Sequence, residues 1–159
     1  MVVRLMCVKE IFNNKPTKPK YEEIYDLEPV LQELEKLFPL ESLSLTELTN
    51  KLIISLALVT AHRKQTLSLI KVSNIRKTKK GYEIKILDKM KVTRPGAYQL
   101  LLVIPKLETK PALCVANTLE RYLLVTNELR SDCDNLLLTT RSPYKKATKT
   151  PLVDGYEPS

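Results

Sequence analysis

Glycine, histidine and cysteine are all scarce in this chain, and each shortage removes a class of chemistry. Only three glycines occur in 159 residues, and no Gly-rich loop of the kind that cradles a phosphate is present. The sole histidine, His62, leaves a Ser-His-Asp or Cys-His nucleophilic device without support. Cys7, Cys114 and Cys133 are widely spaced and form no Cys-x-x-Cys, so neither a zinc site nor a disulfide framework is expected. An odd, scattered set of thiols fits a reducing compartment, nuclear or cytoplasmic and not secreted. No apolar run reaches the roughly 18 residues that a membrane span needs. Lys51 and His62 bound the longest one. Met1 to Glu10 is short and mixed in charge, unlike a signal peptide. The expected list of cofactors and metals is therefore empty.

What the chain does have is segregated charge. The formal net charge is +8 and the pI about 9.4, yet Glu22 to Glu47 holds eight acids against one base, Lys36. Arg76 to Gly96 holds eight bases against Glu83 and Asp88. Arg141, Lys145, Lys146 and Lys149 form a second basic cluster with no acid among them. Such segregation suits one face turned to a polyanion and another turned away; the plainer alternative is a solvated basic surface.

The hydrophobic pattern predicts a mainly helical α+β fold with a small three-stranded antiparallel sheet. Residues 1–20 read as a basic, Pro-rich linker around Lys15-Pro16-Thr17-Lys18-Pro19-Lys20. Residues 21–150 read as the folded domain, and residues 151–159 as a disordered tail without periodicity. Glu28 to Phe38 is an amphipathic helix with Val30, Leu31, Leu34, Leu37 and Phe38 on one side; Asp26 is its expected N-cap, and Pro39 ends it. Leu45, Leu48, Leu52, Leu56 and Val59 recur at helical spacing, with Ile53, Ile54, Ala57 and Leu58 filling the rest of the circumference. Apolar nearly all round, this is the expected central helix of the core. Ser44 and Glu47 open it as a capping box, with Leu43 and Leu48 placed for a hydrophobic staple. A shorter helix is expected from Arg63 to about Ile70.

Ile75 then opens a first strand, Lys79-Lys80-Gly81 supplies a turn, and Tyr82, Ile84 and Ile86 alternate with polar residues in a second. Gln99 to Ile104 is a continuous apolar run, which Pro105 stops. The loop between them carries Lys89, Lys91 and Arg94. Pro111 is expected to open a last helix, faced by Val115, Leu119, Tyr122, Leu123 and Thr126. Leu136-Leu137-Leu138 follows as a short buried strand or extended segment.

Thr60-Ala61-His62-Arg63, set directly after the apolar helix, holds Arg63 against a rigid platform. The plainer alternative is an arginine in a polar turn between helices. Leu56 to Leu69, followed by Asn74-Ile75, resembles the first catalytic box of tyrosine recombinases, the phage-type integrases, and is most similar to the group carried by animal mobile elements. Arg63 falls on that family's first catalytic arginine. Ala61 stands where glycine is usual there, and Thr66 where an acidic residue commonly supports the arginine. The resemblance covers roughly Lys15 to Thr150 and implies the first half of a recombinase catalytic domain, truncated.

The family cuts DNA with a tyrosine nucleophile while arginines and a histidine hold the phosphate and a sheet-borne lysine protonates the leaving oxygen. The resemblance gives that last role to Lys91, with Lys89 the other candidate; either is equally a loop lysine touching a DNA phosphate. Planar, permanently charged guanidinium suits the grip, and a lysine proton can be donated. No histidine follows His62 and no arginine follows Arg141, so the family's His-x-x-Arg motif has no counterpart; neither Tyr144 nor Tyr156 is taken as nucleophile. The expectation is a DNA-binding remnant of a recombination and integration enzyme, unable to cleave DNA alone. Two alternatives stand beside it: half of a strand-exchange enzyme completed by a recombinase-like partner chain, or a folded remnant that serves protein interaction. The expected DNA contacts are Arg76, Lys77, Lys79, Lys80, Lys89, Arg94, Arg141, Lys145, Lys146 and Lys149.

Overall fold

The computed structural model describes residues 26–87 and 99–147. The basic linker and the C-terminal tail therefore lie outside the described residues, as do Lys89, Lys91, Arg94 and Lys149. The fold is α+β and mainly helical. In chain order it comprises α1 (Glu28–Lys36), α2 (Leu45–Thr60), α3 (Lys64–Leu67), β1 (Ile75–Thr78), β2 (Gly81–Ile86), β3 (Leu100–Pro105) and α4 (Val115–Thr126). Among the described residues no helix is long and apolar enough to cross a membrane.

The start of α2 follows its sequence signal closely. The Ser44 hydroxyl accepts from the Glu47 amide at 3.3 Å, and the Glu47 carboxylate accepts from the Ser44 amide at 2.8 Å. Two of the four donors that a helix start leaves unpaired are thus satisfied. These bonds to Ser44 also hold the Glu47 carboxyl below its ordinary pKa. Leu48, Leu52 and Leu56 are buried against α4 and the sheet. The last turn departs from expectation: Val59 is 48% exposed and Leu58 36%, because α2 runs past the end of the core. An apolar circumference marks burial only where another layer reaches it.

Lys51, which bounds the longest apolar run of the sequence, is itself fully buried on α2. Its ammonium donates to the carbonyls of Leu34, at 2.9 Å, and of Leu37. Those are carbonyls that the end of α1 leaves without helical partners, and a cation there also meets the negative end of the helix dipole. Desolvation lowers the Lys51 pKa. Helix α1 itself stops at Lys36, short of the expected Phe38, whose ring is 47% exposed. Asp26 acts one residue earlier than expected, accepting from the Glu28 amide at 3.0 Å, while Leu27 occupies the N-cap position.

The sheet runs in the order β1-β2-β3, all antiparallel. Thr78 pairs with Gly81 and Gly81 with Pro105, so Lys79 and Lys80 form a two-residue turn. Tyr82, Ile84 and Ile86 face inward with Leu102 and Ile104, under α2 and α4. The continuous apolar run of β3 is buried on one face only: Leu101 and Val103 point outward and are 48% and 59% exposed. Pro111 opens a 3₁₀ turn (Pro111–Leu113), and α4 begins only at Val115.

Leu136 to Leu138 is buried but extended, and belongs to no sheet. The Leu136 amide donates to the Ile70 carbonyl at 2.8 Å, and the Val72 amide to the Asp134 carbonyl at 2.7 Å. Arg130 fixes the segment: its guanidinium donates to the Leu136 carbonyl at 3.0 Å, to Thr126 Oγ1 at 2.8 Å and to the Asn135 carbonyl. The Tyr122 hydroxyl accepts from the Leu138 amide at 3.2 Å.

Candidate nucleic-acid interface

The turn after α2 is made without glycine. Ala61 sits in the left-handed region, with φ 53° and ψ 22°. The Thr60 hydroxyl donates to the Leu56 carbonyl at 2.7 Å and accepts from the His62 amide at 3.4 Å, which ties the turn to the helix it leaves. Arg63 returns to extended backbone and caps α3, its carbonyl accepting from the amides of Thr66 at 2.9 Å and Leu67 at 3.2 Å. Leu67 and Ile70 are fully buried and anchor this element, although α3 covers only Lys64–Leu67, less than the stretch to Ile70 that the sequence implied. The backbone at Arg63 is thus held on both sides, while the side chain is exposed and makes no ion pair among the described residues. Lys64 next to it has a buried ammonium without a hydrogen-bond partner, and burial lowers its pKa.

A left-handed alanine carries a steric penalty that glycine escapes. Ala61→Gly is therefore expected to stabilise the domain by about 1 kcal/mol. Urea unfolding measures this; a destabilised variant would mean that the φ of this turn is not what the alanine strains against.

Arg141, Lys145 and Lys146 lie on a second rigid loop. The Thr139 amide donates to the Lys145 carbonyl at 2.8 Å, and the Thr139 hydroxyl accepts from the Lys145 amide at 3.1 Å. Leu138 bridges Lys146 below it, and the Ala147 amide donates to the Leu137 carbonyl at 3.0 Å. All three cations are exposed and make no ion pair among the described residues. Lys71 pairs antiparallel with Asn135, and the Leu136 amide bonds the Ile70 carbonyl, which ties the start of the Leu136–Leu138 segment to the chain that leaves α3.

Of the basic stretch from Arg76 to Arg94, the described residues place Lys79 and Lys80, both exposed, at the turn where β2 begins; Lys89, Lys91 and Arg94 lie outside the described residues. Arg76 is already paired with Glu83 at 3.6 Å, and Lys77 with Glu120 on α4. That second contact raises the Lys77 pKa and lowers the Glu120 pKa. Lys106 was missed. Its amide donates to the Lys80 carbonyl at 2.8 Å, which adds a third exposed lysine to the Lys79–Lys80 turn. Its position after the Pro105 stop was a weak signal of that.

No group of His, Cys, Asp and Glu able to hold a metal occurs among the described residues. A cleft of about 360 Å³ between Phe38, Leu40, Pro111 and Leu124 has Glu41, Asn117, Glu120 and Arg121 as its polar lining. Of its two carboxylates, Glu120 is bonded to Lys77. No protein-family model, no curated protein and no solved structure matches this chain.

Proposed function

We propose that the chain is a DNA-binding domain similar to the first half of a tyrosine-recombinase catalytic domain, one that grips backbone phosphates and does not cut. The observation that carries this reading is Arg63: an exposed guanidinium on a backbone-fixed tight turn, without an ion pair among the described residues, with the exposed Arg141, Lys145 and Lys146 as a second group of such cations. Fixed guanidinium and ammonium groups suit phosphate oxygens, and their sequence-independent contacts release counterions. The acidic flank around α1 carries charge of the wrong sign for that role, and Lys36 there is already bonded to Glu33. The paired residues Arg76 and Lys77 contribute least.

If roughly four phosphates are neutralised, affinity for a DNA duplex falls about a hundredfold between roughly 50 and 200 mM salt. Combined Arg63→Glu, Arg141→Glu, Lys145→Glu and Lys146→Glu removes binding, and Lys36→Glu leaves it intact. Fluorescence anisotropy on a labelled duplex reads both. Binding that is absent at low salt, or flat across the series, sinks the proposal. A nicked suicide substrate returns only noncovalent complex; a covalent adduct would replace the binding-only reading with an enzymatic one.

A further inference from the structure

We infer that β3 is a self-association edge, on which a second copy of this chain adds its own β3 antiparallel to form a continuous six-stranded sheet. The inference does not depend on DNA. Strand β3 ends the sheet, and among the described residues its backbone bonds only to β2. The hydrogen-bonding parity is set where the Lys106 amide meets the Lys80 carbonyl, which makes Ile104, Leu102 and Leu100 the residues bonded to β2. The backbone groups of Leu101 and Val103 therefore point off the free edge. Their side chains are exposed on the outer face, beside Leu87 at 52%.

The two edges of this sheet are managed differently. Strand β1 carries Arg76 and Lys77, charges of the kind that keep an edge from pairing. Strand β3, Leu-Leu-Leu-Val-Ile-Pro, carries none. On the outer face β1 and β2 hold Arg76, Glu83 and Lys85, and the exposed apolar side chains are Leu101 and Val103 of β3 with Leu87 just past the end of β2. In a chain of net charge +8, two copies meet without local repulsion where charge is absent, and β3 is such a place. The strand is also self-complementary. A two-fold axis at Leu102 sets Leu101 of one copy opposite Val103 of the other, so that each pair exchanges both free backbone bonds and shares one face. Pro105, which has no amide to offer, falls outside this pairing.

Sedimentation of the full chain without DNA tests the inference. Wild type is expected to pass from monomer to dimer as concentration rises toward millimolar. Val103→Lys, an outward position whose change leaves the melting temperature near wild type, should weaken dimerisation at least about tenfold. Leu124→Lys, on α4 and at the most exposed large apolar side chain among the described residues, should leave it unchanged. In the dimer the Leu101 and Val103 amides should exchange with deuterium at least about tenfold more slowly than in the monomer, while Leu102 and Ile104 stay as they were. A chain that remains monomeric, a dimer indifferent to Val103→Lys, or open-ended aggregation overturns the assignment.

Discussion

Gly81→Ala is expected to destabilise the domain by at least about 3 kcal/mol, the sum of a strained backbone and a backbone clash. Gly81 opens β2 with φ 144°, a conformation that L side chains rarely adopt. A Cβ built there lies 2.0 Å from the Ile104 carbonyl oxygen and 3.0 Å from the Lys106 nitrogen. Both obstacles are backbone atoms of the neighbouring strand, so no side-chain rotation relieves them. The tight approach exists because Gly81 pairs with Thr78 on one side and Pro105 on the other. To accept a methyl group, β3 must move off β2 at the end where Lys106 bonds Lys80. Thermal unfolding should show a fall of roughly 10 °C or more, with Lys80→Ala as a near-neutral control. A loss under about 1 kcal/mol would mean that the strands separate here with little resistance.

The same turn shows what was legible in the sequence. Lys79-Lys80-Gly81 announced a hairpin, and the alternation of Tyr82, Ile84 and Ile86 fixed which face is buried, because both are local signals. The capping box at Ser44 and Glu47 is equally local, and it stands where it was read. What failed depended on the neighbours an element meets. Val59 and Phe38 have the residue type of core positions but lie beyond the packed layers. β3 is apolar throughout, so nothing in its own residues distinguished Leu102 and Ile104 from Leu101 and Val103; only its edge position does. The basic run from Arg76 onward is contiguous in sequence, yet Arg76 and Lys77 are drawn into ion pairs with Glu83 and Glu120, partners that only the folded arrangement supplies. Arg63 was found as a position after an apolar helix. Its fixation depends on Ala61 adopting a left-handed conformation that its side chain does not favour. Lys51 left no local signal at all, since a lysine within an apolar helix reads as the edge of the buried face.

Lys51→Ala is the second large loss expected, about 3 kcal/mol. The substitution removes a fully buried side chain and leaves the Leu34 and Leu37 carbonyls without their donor. Lys51→Met separates the two contributions. It keeps most of the buried stem and loses the hydrogen bonds, so it should fall between alanine and wild type. The charge makes a third, pH-dependent contribution, and its sign is fixed by the direction of the shift. Burial lowers the folded pKa below the ordinary 10.5, so between those two values the unfolded chain binds more protons at this residue. Stability contributed by Lys51 therefore rises with pH through that window and levels off above 10.5. Tyr82 and Tyr122, whose pKa values burial raises, act in the opposite sense above about 10. The difference between wild type and Lys51→Met cancels the tyrosines and isolates the lysine. That difference should grow as the solution is made alkaline. A difference that stays level would mean that Lys51 keeps enough water in the fold to hold its proton as tightly as the unfolded chain does, and its place as the cap of α1 would then need another explanation.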